Sequence, residues 1–301
     1  MKTLLAFFTL ICAGLAHADT YTTANLSGVP SASFTYREST NLTAASNWVT
    51  KATWSSGQDG YMTCPVSSTN PPYRFVQLKV TDSKHSLTNT EFLNIITLPG
   101  ASSAAHTNDY SQYRFVCVAT PLVTSNAPLV DLIEVHFKGS GPTNGSGAQV
   151  YQVVGTPTNA LVLSAITYDG TNWGANDIGL SGRGFFVKNP TTNDLLVLLR
   201  GRVQNGPFTN ACYYGYTSAG PMAPLDGGIE TVHGYPRNSS TYGDSILKWN
   251  PAGTGWVTYE IDEYDHTWYP SEPTFTAGEG CIVRHMANTN TFNWTKSFTL
   301  P

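Results

Sequence analysis

Along Tyr73–Asp82 apolar and polar side chains alternate. Val76, Leu78 and Val80 share one face of an extended chain, and Phe75, Gln77 and Lys79 share the other. A period of two marks a β-strand with one face turned to a core. The stretches "SFTYRE", "WVTKATW" and "GYMTCPV" repeat the pattern upstream. Further on, short runs of β-branched and aromatic residues are bounded by Gly, Pro and Asn clusters. One segment, Ala127–Phe137, has spacing that allows a short helix, with Ser125 or Asn126 as N-cap and Leu129, Leu132 and Ile133 apolar. Its later counterpart contains Gly227-Gly228, which disfavours a helix there. The predicted class is all-β and multi-domain. A small N-terminal β-sandwich of fibronectin-III type would precede two tandem homologous modules of β-sandwich or barrel-like form.

The tandem modules come from an internal repeat. "APLVDLIE" (Ala127–Glu134) and "APLDGGIE" (Ala223–Glu230) lie 96 positions apart (223 − 127). In the same register Gly147 falls on Gly243, Tyr168-Asp169 on Tyr264-Asp265, and Thr171 on Thr267. "GRGFFVK" (Gly182–Lys188) falls on "GEGCIVR" (Gly278–Arg284). A period of this length is that of a domain, longer than the solenoid repeats. The division expected is residues 19–100 for the first domain, 101–200 for repeat 1 and 201–301 for repeat 2. The polar stretch Leu98–Ser111 is the expected linker.

Residues 1–18 are set apart from the fold. Lys2 begins the segment, Leu4–Ala16 is apolar, and Ala16-His17-Ala18 is a small-x-small cleavage signal. This is the pattern of a secretory signal peptide, with cleavage expected between Ala18 and Asp19. The expected location is secreted, periplasmic or at the cell surface, without membrane insertion of the mature chain. Export permits disulfides among Cys64, Cys117, Cys212 and Cys281. Shifted by the repeat offset, Cys117 lands on Tyr213, beside Cys212, which makes Cys117–Cys212 the candidate bridge. A net charge of −4 with only 12% charged residues argues against nucleic acid or an anionic membrane as partner.

The run "GDSILKWN…WVTYEIDEY…TWYPSEPTFTAGEGCIVRH…FNWTKSFTLP" resembles the C-terminal module of a family of exported bacterial β-rich proteins. Members carry two such modules with a W-x-P-x-E-P…G-x-G-aromatic-aromatic signature. The likeness is strong over Gly243–Leu300 and weaker over 101–200. The sequence departs from the signature at Cys281-Ile282, where the family has two aromatics. The resemblance implies export and modular β structure, and it supplies no activity.

Three groups of residues could carry chemistry. Cys281 and His285 near Glu272 and Glu279 suggest a thiol nucleophile with its base. Positions four apart on a strand lie about 13 Å from each other, however, beyond contact. In the first repeat Cys281 falls on Phe185, His285 on Asn189, Glu279 on Arg183 and Glu272 on Asn176, so none of the reactive side chains is shared. The glycines Gly182, Gly184, Gly278 and Gly280 are shared, which points to turn geometry. The acidic run Glu260, Asp262, Glu263, Asp265 suggests a glycosidase pair or a calcium site, or else a solvated strand edge. Trp268, Tyr269 and Trp256 are candidate glycan-stacking aromatics. No nucleotide, metal or nucleophile-elbow motif occurs, so no cofactor is expected. The expected function is a non-catalytic structural or adhesive role at the cell surface or in the extracellular matrix. A carbohydrate-binding protein is the alternative, and a glycoside hydrolase the third reading.

Overall fold

The computed structural model describes residues 10–12, 19–25, 33–39, 44–55, 61–67, 73–81, 86–98, 113–117, 133–137, 146–153, 163–170, 174, 184–189, 195–202, 206–223, 225–250, 255–287 and 289–299. In chain order the first strands are β1 (Leu10–Cys12), β2 (Asp19–Asn25), β3 (Ser33–Ser39), β4 (Val49–Ser55), β5 (Tyr61–Ser67), β6 (Tyr73–Thr81) and β7 (Ser86–Leu98). Then come β8 (Tyr113–Cys117), β9 (Ile133–Phe137), β10 (Gln149–Val153), β11 (Leu163–Thr167), β12 (Gly184–Lys188) and β13 (Leu195–Arg202). The last are β14 (Gly206–Cys212), β15 (Gly215–Ala219), β16 (Gly227–Gly228), β17 (Ser245–Trp249), β18 (Trp256–Ile261), β19 (Trp268–Tyr269), β20 (Thr274–Phe275), β21 (Cys281–His285) and β22 (Phe292–Phe298). A single 3₁₀ turn, Ala45–Asn47, is the one helical element among the described residues. The described residues are all-β, as the alternating pattern predicts.

Within the segment whose spacing allows a short helix, Ile133–Phe137 is a strand. It pairs with β13 from Leu195↔Phe137 to Leu199↔Ile133. Tertiary pairing overrides the local spacing there, because β13 is an apolar strand that needs a neighbour on each edge. β13 also pairs with β7 over its whole length, giving a six-stranded sheet of order β4-β3-β6-β7-β13-β9. The division drawn at residue 100 therefore runs next to a strand whose partners lie on both sides of it. The linker beyond Leu98, the leader cleavage residue Ala18 and Gly182 lie outside the described residues.

Sheet order recurs along the chain. Strands β11-β10-β12-β8 form one antiparallel sheet, and β18-β17-β21-β15 follow the same order in the five-stranded sheet that β19 completes. The register agrees as well. Gln149↔Lys188, Val150↔Val187 and Tyr151↔Phe186 correspond at the 96-residue offset to Ser245↔Arg284, Ile246↔Val283 and Leu247↔Ile282. Not every sequence match survives. The Gly147 N–H donates to the Tyr168 carbonyl, whereas the equivalent N–H of Gly243 donates to the Ile261 carbonyl. Tyr264, paired with Tyr168 by sequence, lies three residues further on, in a turn.

The two faces of the five-stranded sheet have different cover. One face holds Ile246, Ile261, Trp268, Cys281 and Val283, which pack with Cys212 and Trp294 from the β14–β22 ribbon. That ribbon is itself amphipathic: Phe208, Asn210 and Cys212 on β14, and Trp294 and Phe298 on β22, are buried while their neighbours face out. Tyr235 sits at the centre, with Trp268, Phe292 and Trp294 at 5.4–5.9 Å between ring centroids. The other face contributes Trp249, Ile282, Leu247 and Trp256 to a cluster with Phe186 and Tyr151 from the preceding sheet. Far upstream, Trp48 is buried with Phe208, Met222, Ala223, Ala277 and Phe298.

Candidate functional site

Asp244 immediately precedes β17, where the first repeat has Ala148, and His285 closes β21, where the first repeat has Asn189. Both side chains are fully buried. His285 Nδ1 lies 2.8 Å from each carboxylate oxygen of Asp244, and its Nε2 lies 2.8 Å from the Asn290 carbonyl. Both ring nitrogens thus face acceptors, which calls for a proton on each and an imidazolium paired with a carboxylate. Asp244 further accepts from the Tyr235 hydroxyl at 3.2 Å and from the backbone N–H groups of Met286 and Ala287 at 3.1 and 3.3 Å. The carboxylate charge is thereby spread over five contacts, as a buried charge must be.

This arrangement removes His285 as a base for Cys281. Its proton-bearing nitrogens are both committed, and neither residue is reached by solvent. Cys281 occupies the apolar slot that Phe185 fills in the first repeat, and both are fully buried. Cys212 is a free buried thiol, so the expected Cys117–Cys212 bridge is not formed. The reason is that the repeat offset is not constant. Cys117 pairs with Gly184 at the end of β8 in the four-stranded sheet, whereas Cys212 pairs with Phe292 in the ribbon. Burial, and then the nearby charge of Asp244, push the Cys212 thiol far above its ordinary value, which disfavours thiolate chemistry.

The W-x-P-x-E-P run has a mechanical role. Glu272 Oε1 accepts from the backbone N–H groups of Glu230 and Thr231 at 2.7 and 2.8 Å and from the Thr231 hydroxyl at 3.1 Å. In return, Glu230 Oε2 accepts from the Trp268 indole at 2.9 Å and from Arg237 Nε at 3.1 Å. Ile229 donates to the Pro273 carbonyl, and β16 pairs with β20 alongside. The two halves of the module are clasped by two carboxylates that hold fixed donors. Replacing Glu272 with Gln should lower the unfolding free energy by about 2 kcal/mol, because a neutral amide accepts these donors more weakly. Urea denaturation of the variant measures this, and an unchanged midpoint would show that the clasp adds nothing.

Trp268 is therefore not an exposed platform. Its register partner Ile261 and the alternation of β19 turn it inward, to 9% exposure, and they turn Tyr269 outward, to 73%. Trp256 is half-buried, edge-on to Phe186 at 5.1 Å and to Trp249 at 5.2 Å. Of the three aromatic candidates, only Tyr269 stands in solvent.

The acidic run divides among separate tasks. Asp262 Oδ1 accepts from the N–H groups of Tyr264 and Asp265, and Asp265 Oδ1 accepts from the Thr267 hydroxyl and N–H. Those bonds from Thr267 hold the Asp265 carboxyl below its usual value. Together they build the β18–β19 turn, whose His266 adopts φ 61° and stacks on Tyr242 at 3.8 Å. Glu279 accepts from the Thr276 N–H and pairs with Lys248 at 3.1 Å. Gly278 beside it has φ 84°, the left-handed conformation that the shared G-x-G implies. Among the described residues, no three His, Cys, Asp or Glu side chains gather as a metal site.

Sequence reasoning passed over Asp244, Tyr235, Glu230 and His233. A signal for Asp244 was present: Ala148→Asp244 and Asn189→His285 are paired differences between the repeats, at positions that strand register brings close. Compared with known proteins, the chain matches no family model and no curated protein.

Proposed function

We propose that this chain is an exported, non-catalytic protein of the cell surface or extracellular matrix with a structural or adhesive role. In this reading it is built from an N-terminal β unit and two tandem homologous β-sandwich modules. The observation that carries it is the use of the reactive-looking side chains. His285, Asp244, Glu230, Glu272 and Glu279 all hold the last module together by hydrogen bonds or ion pairs. The recurring strand order and register support the duplication. Two copies of a module add contact surface and avidity, which suits adhesion better than catalysis.

The test has two arms. The exported protein should begin at Asp19 by N-terminal mass analysis. The purified chain should turn over no polysaccharide, ester or peptide substrate above a heat-denatured control. Turnover that disappears in Glu279→Gln or Cys281→Ser would overturn the non-catalytic reading. A second reading, carbohydrate binding, is favoured by one observation: Tyr269 projects a largely exposed ring from a short, rigidly anchored strand.

A further inference from the structure

The four-stranded and five-stranded sheets meet through the same face of the two repeats. Phe186 and Tyr151 on one side correspond, at the 96-residue offset, to Ile282 and Leu247 on the other. All four lie in one cluster with Trp249 and Trp256. Phe186 stands edge-on to Trp249 at 5.7 Å and to Trp256 at 5.1 Å between ring centroids. The strand contacts are reciprocal as well. β8 and β15 are equivalent, each being the outer strand that pairs with β12 or with its counterpart β21. β8 lies against β17 and β21 of the opposite sheet, and β15 lies against β10 and β12. Exchanging the repeats turns the first set of contacts into the second. An interface in which i meets j and j meets i is isologous, the arrangement of a two-fold homodimer.

We propose that the two repeats are an internal dimer, and that the face carrying Leu247, Trp249, Trp256 and Ile282 is a recognition surface for another copy of the module. Within one chain the partner is the first repeat. Between chains it is the first repeat of a second molecule. The reciprocity selects this occupant, because a face that packs against its own duplicate is complementary to the module itself. The chemistry agrees: aromatic rings from the two sides meet edge to face, the geometry their quadrupoles prefer. The core of the second module, with Ile246, Ile261, Cys281 and Val283, lies on the opposite side of its sheet and shares no residue with this cluster. The contact is thus a junction between modules and not the core of either. Joining the halves in one chain makes their encounter intramolecular, which raises the effective concentration and keeps the faces closed in the monomer. A structural chain with such a junction joins its neighbours by opening it and exchanging repeats. The proposal rests on the tandem duplication in the structural reading above and is independent of whether the chain is catalytic.

Sedimentation of full-length variants tests it. Phe186→Asp puts a carboxylate into the closed cluster from the first repeat, and Trp249→Asp does so from the second. A buried charge without a partner is costly enough to force the junction open. Each variant then presents one intact face, and the two intact faces are complementary. An equimolar mixture at micromolar concentration should sediment as a one-to-one dimer, while the parent and a chain carrying both substitutions stay monomeric. A monomeric mixture would overturn the proposal, and so would association of the double variant to the same extent as the mixture. A second measurement keeps the junction closed. Phe186→Ile and Ile282→Phe exchange the residues of two equivalent positions. Each alone should lower the urea midpoint, the first by leaving a gap and the second by overpacking, and together they should recover most of the loss. Losses that simply add would overturn the two-fold contact, even if the aspartate variants fail to fold. Neither readout involves turnover, so a failure here is distinct from a failure of the non-catalytic reading.

Discussion

Replacing Asp244 with alanine will destabilise the protein by about 3–5 kcal/mol, the range for breaking a buried ion pair from one side. The truncation leaves the His285 imidazolium without its counter-charge in a site with no access to water. It also strands the Tyr235 hydroxyl and the backbone N–H groups of Met286 and Ala287. The first repeat supplies the control. At the equivalent positions the first repeat holds Ala148 and Asn189, both fully buried, with the Asn189 amide donating to the Leu98 carbonyl. The same strand geometry therefore tolerates an uncharged pair. Asp244→Ala combined with His285→Asn should lose less stability than Asp244→Ala alone, although it carries one more mutation. Urea denaturation of the parent, both single variants and the double variant gives the coupling energy directly. Additive losses would refute the ion-pair account.

Stability should also fall by about 3 kcal/mol as the pH drops from about 6.5 to about 4, through His233. This side chain is 1% exposed, lies edge-on to Phe275 at 6.4 Å, and has no hydrogen-bond partner on either nitrogen. Burial, reinforced by the charge of Lys296 and opposed by Asp226 and Glu272, lowers it to about 4. In the unfolded chain the imidazole titrates near 6.5. Between those values the unfolded state binds the extra proton, so stability rises with pH across that window. The contribution is complete above 6.5 and gone below 4. His233→Leu removes the titrating group while keeping an apolar side chain beside Phe275, so its urea midpoint should vary less over that range than the parent's. The Trp294 indole bond to the His233 carbonyl is a backbone contact and survives the change. Identical pH slopes in parent and variant would eliminate His233 as the source.

Local signals in the chain carried a good deal of this. Alternation of β14 and β22 is visible in "PFTNAC" and "FNWTKSF", because one face of each strand must be apolar to cover the sheet. Gly278 was recognisable as a turn glycine from its repeat, and it takes a positive φ. The all-β class and the common register of β10–β12 and β17–β21 follow from the same kind of evidence: side-chain period and backbone geometry are set within a few residues.

What the residue pattern left undecided depended on which strands become neighbours. Tyr168 and Tyr264 match in sequence but not in space, since the connection before β18 shifts that strand by three residues against its partner. Cys117 and Cys212 part company because β8 and β14 join different sheets. Trp268 looked like a glycan-stacking ring, and pairing with Ile261 made it core. Cys281 and His285 looked like a reactive pair on one strand, yet His285 finds its partner just before β17, 41 residues earlier. The sequence by itself determined the strand-rich class and the alternating faces of strands such as β14 and β22, because these depend on interactions within a few residues. Only the tertiary structure decided which carboxylate meets which donor and which aromatic reaches solvent. Those outcomes depend on long-range strand register, where a shift of one residue turns every side chain to the opposite face.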